Sequence, residues 1–116
     1  MTQMHIVDQQ GAHLRVALTG RLDSAGVGHL EQQFNVTVGR ADRPAIVDFA
    51  GVTFLSSMGI RLLVSAAKDL SRRGLKLVIL APQGLVRESI TSAALHRIIP
   101  VADSDDAAMA MAIAMV

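Results

Sequence analysis

Hydrophobic and polar residues alternate at the start of the chain and then recur at a helical spacing, which predicts a hairpin followed by a helix. In the run HLRVALTG, Leu14, Val16 and Leu18 fall on one face, as in a half-buried strand. The run MHIVDQQ before it is also strand-like, so the two runs predict an antiparallel hairpin. The helix is predicted to start from a cap at Asp23 or Ser24. Its hydrophobic face consists of Val27, Leu30, Phe34 and Val38.

The middle of the chain has the pattern of a strand, a helix and a second strand. AIVDFAG is a short β-branched and aromatic run typical of a buried strand, and LKLVILAP is the next strand-like run. Their order predicts a βαβ unit in which strands 45–49 and 75–80 are parallel. The helix between them is predicted from Gly59 onwards, with Gly74 as its C-terminal cap. Its hydrophobic face consists of Ile60, Leu63, Ala67 and Leu70.

The last part of the chain predicts two further helices around a short edge strand. QGLVRESITSAAL has a helical pattern, and SDDAAMAMAIAMV predicts a final helix capped by Ser104. RIIPVA between them is predicted to be an edge strand because Pro100 has no N–H group for a central position. No linker or repeat divides the sequence, so residues 1–116 are expected to form a single α/β domain.

The amino-acid composition argues against several classes of function. Hydrophobic residues make up 51% of the chain, enough for a core. Aromatic residues make up only 3% and the formal net charge is +1 without a basic stripe, so we expect no nucleic-acid partner. The absence of cysteine excludes disulfides, thiol catalysis and zinc–thiolate sites. The N-terminus has no signal pattern and no apolar run approaches about 18 residues, which predicts a cytoplasmic protein without a membrane partner.

Motifs for catalysis, metals and cofactors are weak. The four histidines are not spaced as metal ligands. SAAK at 65–68 lies within a predicted helix and lacks the partner motifs of β-lactamase-type serine enzymes. GVG at 26–28 lacks the third glycine of a dinucleotide-binding loop. FLSSMG lacks the glycine that precedes the serine in a nucleophile elbow. We therefore expect no catalytic residue, no metal site and no cofactor.

The segment FLSSMGIRLL carries the remaining candidate chemistry. Ser56 is predicted to cap the helix, and Leu55 before it is predicted to pack on Ile60 as a hydrophobic staple. Ser57 would then lie in the first turn, where backbone N–H groups and the helix dipole favour an anion. A phosphate there would add a charge of about −1.5 to −2 beside Leu55, Met58 and Ile60. The pattern alone fits either a structural cap or a modified serine.

Three segments together resemble the STAS domain, in particular bacterial anti-sigma factor antagonists. LTGRLDSAG at 18–26 is similar to the family's L-x-G-x-L-D segment, and 46–82 is similar to its strand, phosphorylatable-serine helix and parallel strand. Residues 86–108 are similar to the closing helix, strand and helix. The resemblance implies an α/β fold with a mixed sheet of about five strands. This sheet combines an N-terminal antiparallel hairpin with a parallel βαβ unit, and about four helices lie mainly on one face.

The resemblance also identifies the loop before the central helix. The family has D-S-[ST]-G there, and the serine after the aspartate is phosphorylated. Ser57 stands at that serine and Gly59 at the glycine, whereas Ser56 replaces the aspartate and Met58 the second hydroxyl residue. The resemblance therefore implies Ser57 as the phosphoacceptor, with Ser56 as its rival. Arg61 replaces a small residue and could pair with a phosphate or with a partner's carboxylate.

A protein of this kind is not an enzyme but a regulator. The resemblance implies that the unphosphorylated form binds an anti-sigma factor that is also a serine kinase of the GHKL type, which frees the sigma factor. The kinase would phosphorylate Ser57, and a PP2C-like phosphatase would reverse the modification. The chain is expected to be a monomer or a weak dimer. The implied contact residues are Asp23, Ser24, Leu55, Ser56, Met58, Gly59, Ile60 and Arg61.

Two other functions fit the same sequence. A STAS regulatory subunit of a transport ATPase would dock permanently through the same loop, without a phosphorylation cycle. A signalling scaffold would associate through the apolar C-terminal helix, unless that helix packs on its own sheet. The apolar residues of that helix are Met109, Met111, Ile113 and Met115.

Overall fold

A five-stranded mixed sheet forms the centre of the protein in the computed structural model, which describes residues 2–114. The strands lie side by side in chain order, and only the first two are antiparallel to each other. This arrangement confirms the predicted hairpin, the parallel βαβ unit and the edge position of the last strand. The strands are β1 (Gln3–Asp8), β2 (Leu14–Leu22), β3 (Ala45–Leu55), β4 (Leu77–Leu80) and β5 (Val101–Ala102).

Within residues 2–114 the chain forms four α-helices, three of which start from a side-chain cap. The side chains of Asp23, Ser56 and Ser104 each accept the backbone N–H group three residues further on. The cap of the first helix is therefore Asp23 rather than Ser24. The helices are α1 (Ser24–Phe34), which a π-helical segment (Asn35–Gly39) continues, α2 (Ser57–Ser71), α3 (Gly84–Ser92) and α4 (Asp105–Ile113). A short 3-10 helix (Leu95–Arg97) precedes β5.

Hydrophobic clusters lie on both faces of the sheet. Successive strand residues face opposite sides, so Val47 joins the main cluster while Ile46 joins a smaller one. Buried residues of α1, α2 and α3 belong to the main cluster, whereas α4 packs on the smaller one through Ala108 and Ala112. The helices therefore lie mainly on one face, as expected.

β3 is longer than its hydrophobic run predicts. The predicted strand covered 45–49, but β3 continues to Leu55. The reason is non-local, because β2 is also long and pairs in parallel with β3 as far as the pair Leu22 and Leu55. This extension carries the end of β3 directly to the start of α2.

The buried face of α2 is rotated from the predicted one. Leu63 and Leu70 are buried as expected, but Ile60 and Ala67 are only half-buried. The helix ends before Gly74, whose φ of +74° confirms the predicted C-terminal cap. The other buried residues of this face are Gly59, Leu62 and Ala66. Apolar residues occur on more than one side of this helix, so the hydrophobic pattern is compatible with either rotation.

The C-terminal helix packs on its own sheet through its buried alanines, with Met111 packed partly against the same cluster. Met109 is 44% exposed and Ile113 is 68% exposed, while Met111 is half-buried. Met115, the fourth residue of the predicted association surface, lies outside the described residues. The packing of α4 therefore leaves part of its apolar surface in contact with solvent.

Candidate functional site

Two helix N-termini lie side by side at one edge of the sheet. β2 and β3 are parallel and end at the paired residues Leu22 and Leu55, so their carboxyl ends share this edge. α1 starts just after β2, and α2 starts just after β3. The predicted segments around Asp23 and Ser57 are therefore brought together by the pairing of the two strands.

Ser56 joins the end of β2 to the start of α2 through three hydrogen bonds, two to Leu22 and one from Gly59. Its backbone N–H donates to the carbonyl oxygen of Leu22 at 3.0 Å, and its hydroxyl donates to the same oxygen at 2.7 Å. Its Oγ also accepts the backbone N–H of Gly59 at 3.4 Å. These bonds occupy a half-buried hydroxyl, so Ser56 serves as the joint between β2 and α2.

Ser57 has a different environment, although it is the next residue. It is the first residue of α2 and is exposed, and within residues 2–114 its hydroxyl has no hydrogen-bond partner. Met58, 39% exposed, and Arg61, also exposed, lie on the same open side of the helix start. The structure therefore assigns the two serines separate environments, one bonded into the fold and one open to solvent.

Gly59 and Leu55 hold this helix start against the core. A Cβ atom at position 59 would lie 2.7 Å from Cδ1 of Leu55 and 3.0 Å from the carbonyl oxygen of Leu22. Leu55 itself is only 4% exposed, and Ile60 is half-buried against the main cluster. This corrects the predicted apolar contact patch, because Leu55 and Gly59 are interior residues that position the site and cannot form its surface.

Phe54 is an exposed hydrophobic residue at this edge that the sequence did not single out. It is 36% exposed and pairs across the strands with Arg21, whose guanidinium carbon lies 4.4 Å from the centre of the ring. No motif marks either residue. Only the register between β2 and β3 places them together at the edge that carries Ser57.

Asp23 caps α1 and also binds Arg21. The backbone N–H of Gly26 donates to its Oδ1 at 2.8 Å, and Nε of Arg21 donates to its Oδ2 at 3.2 Å. These two hydrogen bonds, first that of Gly26 and then that of Arg21, lower the pKa of Asp23 below its ordinary 3.8. Asp23 is therefore an anion at neutral pH, with exposed Ser24 next to it.

The hydroxyl of Ser57 has no activating group bonded to it in the described part of the chain. Within residues 2–114 no histidine or carboxylate makes a hydrogen bond to Ser57, so its hydroxyl lacks an activating base in this structure. The same residues contain no group of three or more side chains that could hold a metal ion. No helix among them is long and apolar enough to span a bilayer.

Comparisons with known proteins agree on the family. The model of the STAS domain matches residues 4–108. BtrV of Bordetella bronchiseptica, a candidate anti-sigma factor antagonist, is 30% identical over 104 residues, 90% of each chain. An anti-sigma factor antagonist of Mycobacterium paratuberculosis has a TM-score of 0.83 at 20% identity, over 97% of this chain and 94% of that chain. The Bacillus cell fate determinant SpoIIAA, in its phosphorylated form, has a TM-score of 0.64 at 19% identity, over 92% and 96% respectively.

Proposed function

The chain belongs to the STAS domain family, and we propose that it is an anti-sigma factor antagonist controlled by phosphorylation of Ser57. The unphosphorylated form binds an anti-sigma factor that is also a serine kinase, and this binding releases the sigma factor. Phosphorylation by that kinase ends the interaction, and a phosphatase restores it. The observation that carries the proposal is the contrast between the exposed hydroxyl of Ser57 and the hydrogen-bonded hydroxyl of Ser56.

The exposed side chains around Ser57 form the docking surface of this proposal. Ser24, Phe54 and Met58 supply a small, partly apolar area, and Arg21 covers one face of the aromatic ring. Aromatic and arginine side chains are common energetic centres of protein interfaces. A neutral serine hydroxyl can be covered by a partner at little cost, since it needs few hydrogen bonds.

A phosphate on Ser57 would change this surface without unfolding the helix. It would add about −1.5 to −2 charge at a helix N-terminus, where the dipole tolerates an anion. The same charge would lie beside Met58 and at the edge that already carries the ionised Asp23. A partner fitted to the uncharged surface would have to desolvate this charge, so its affinity falls.

Two relatives support the proposal. BtrV, similar over 90% of each chain, is itself a candidate anti-sigma factor antagonist. SpoIIAA, which has the same fold, occurs in a phosphorylated form. Neither relative identifies the kinase, the phosphatase or the sigma factor of this chain.

Binding to the cognate anti-sigma factor tests the docking role. Ser57→Ala should bind with unchanged affinity in a calorimetric titration, whereas Ser57→Glu should bind at least about tenfold more weakly. Equal affinities of the two variants would contradict the switch and would favour permanent docking, as in a regulatory subunit of a transport ATPase.

The site of modification is tested separately. After incubation with the kinase and ATP, phosphopeptide mass spectrometry should place the phosphate on Ser57 in the wild type and in a Ser56→Ala variant. Phosphate on Ser56 alone would overturn the assignment, and so would a Ser57→Ala protein that is modified as fast as the wild type.

A further inference from the structure

Arg61 is an exposed cation near Ser57. It lies four residues after Ser57 on α2, and both side chains are exposed. Within residues 2–114 its guanidinium makes no hydrogen bond and no ion pair. Arg21, the arginine that belongs to the same edge of the sheet, is instead held by Asp23 and by the ring of Phe54.

The helix geometry places Arg61 within reach of a group on Ser57. Residues four apart on a helix lie one turn above each other, with Cβ atoms about 5–6 Å apart. An anion that precedes its cation by four residues has the favourable order for such a pair. The side of α2 that carries both residues is open to solvent, since Ser65 and Lys68 along the helix are exposed as well.

We propose that Arg61 is an intramolecular clamp for the phosphate on Ser57. The planar guanidinium donates two N–H groups to two phosphate oxygens, in the bidentate geometry that arginine forms with phosphate. The inference rests on the proposed function, because it concerns the phosphorylated state of the same serine. It adds Arg61 to the proposed switch, since phosphorylation then also neutralises an exposed cation beside the docking surface.

The other charges near the site favour Arg61 as the phosphate's partner. Arg21 at the end of β2 is already bound to Asp23, and releasing it would leave that carboxylate without its guanidinium. Asp23 at the start of α1 is an anion and repels a phosphate. Arg61 on α2 would lose no hydrogen bond or ion pair with any residue from 2 to 114. Pairing with Arg61 on the same helix therefore stabilises the phosphate more than pairing with Arg21 would.

The test uses a protein with phosphoserine inserted at position 57 during translation, so no kinase is needed. Phosphorus NMR at about 0.1 M salt measures the second pKa of the phosphate with Arg61, with Arg61→Gln and with Arg61→Lys. Loss of the cation disfavours the dianion, so Arg61→Gln should raise this pKa by about 0.3. Arg61→Lys should give an intermediate value, because it keeps the charge and loses the planar fork.

Lys68→Gln is the matched control. Lys68 is exposed on the same helix and also lacks an ion pair within the described residues, but it lies about 16 Å along the axis from position 57. At 0.1 M salt that distance exceeds the screening length of about 10 Å. Lys68→Gln should therefore leave the phosphate pKa within about 0.1 of its value with all cations present. A change as large as that of Arg61→Gln would overturn the clamp in favour of a diffuse charge effect.

Failure of the clamp and failure of the proposed function have different signatures. Equal phosphate pKa values with Arg61 and with Arg61→Gln would overturn the clamp, whether or not a kinase acts on Ser57. Equal binding of Ser57→Ala and Ser57→Glu would overturn the proposed function and leave the phosphate pKa untouched.

Urea midpoints give a second measurement of the clamp. Phosphorylation should raise the midpoint more in the protein with Arg61 than in Arg61→Gln, and equal increments would contradict the pair.

Discussion

Gly59→Ala should destabilise the protein although alanine favours a helix. Gly59 lies where the first turn of α2 crosses the end of β2. A Cβ atom there would lie 2.7 Å from Cδ1 of Leu55 and 3.0 Å from both the Cβ and the carbonyl oxygen of Leu22. That carbonyl cannot move aside freely, because it accepts both the N–H and the hydroxyl of Ser56.

The expected change in unfolding free energy is the cost of overpacking minus the gain in helix propensity. Overpacking a well-filled site costs about 1–3 kcal/mol, and contacts with a backbone atom belong to the upper half of that range. Replacing glycine by alanine within a helix returns about 1 kcal/mol. The variant should therefore lose about 1–2 kcal/mol of unfolding free energy, which corresponds to a fall in Tm of roughly 4–10 °C.

Gly28→Ala provides the matched control for this prediction. Gly28 is exposed within α1, and a Cβ atom there would meet nothing within 4 Å. The same substitution should therefore raise the free energy of unfolding by about 0.5–1 kcal/mol. Urea unfolding followed by far-UV circular dichroism measures both variants. If Gly59→Ala matched or exceeded the wild type in stability, the close contact between α2 and β2 would be refuted.

Three further outcomes are expected. Ser56→Ala removes a helix cap and should lower the free energy of unfolding by about 1–2 kcal/mol in urea, whereas Ser57→Ala should change it by less than about 0.5 kcal/mol. Titration of Asp23 by NMR should give a pKa below 3.8. The ionised carboxylate therefore stabilises the fold above pH 3.8, and this stabilisation is lost as the pH falls through the pKa of the folded protein. A midpoint at or above 3.8 would contradict the two hydrogen bonds. Phe54→Ala should weaken binding of the anti-sigma factor at least about tenfold, whereas Ile98→Ala, a 61% exposed residue outside the site, should leave it unchanged.

The candidate site shows where reading the sequence succeeded and where it failed. Ser56 as cap and Ser57 as the open neighbour follow from helix-start chemistry, which involves backbone groups only three residues away. The sequence assigns Leu55 to the contact patch and gives Phe54 no role, because alternate strand residues can be assigned to the core or to the surface only when the neighbouring strands are known. The structure reverses these two roles by pairing β3 with β2.

The sequence by itself determined the type and order of the elements and some of their ends. Local patterns predicted the alternating strand HLRVALTG, the cap at Ser104, the C-terminal cap at Gly74 and the edge position of the strand with Pro100. Each of these depends on interactions between residues close in the chain. Such interactions can be judged from local patterns, since their geometry is the same in any fold.

Only the tertiary structure decided how far β3 runs, which face of α2 is buried and which side chains share the edge with Ser57. Each of these three features depends on contacts between β2 and residues more than thirty positions away. Examples are the hydrogen bonds from Ser56 to Leu22 and the stacking of Arg21 on Phe54. A register shift of one residue would turn each side chain of the strand to the other face, and no local pattern determines that register. The surface around the exposed serine is therefore a property of the assembled sheet.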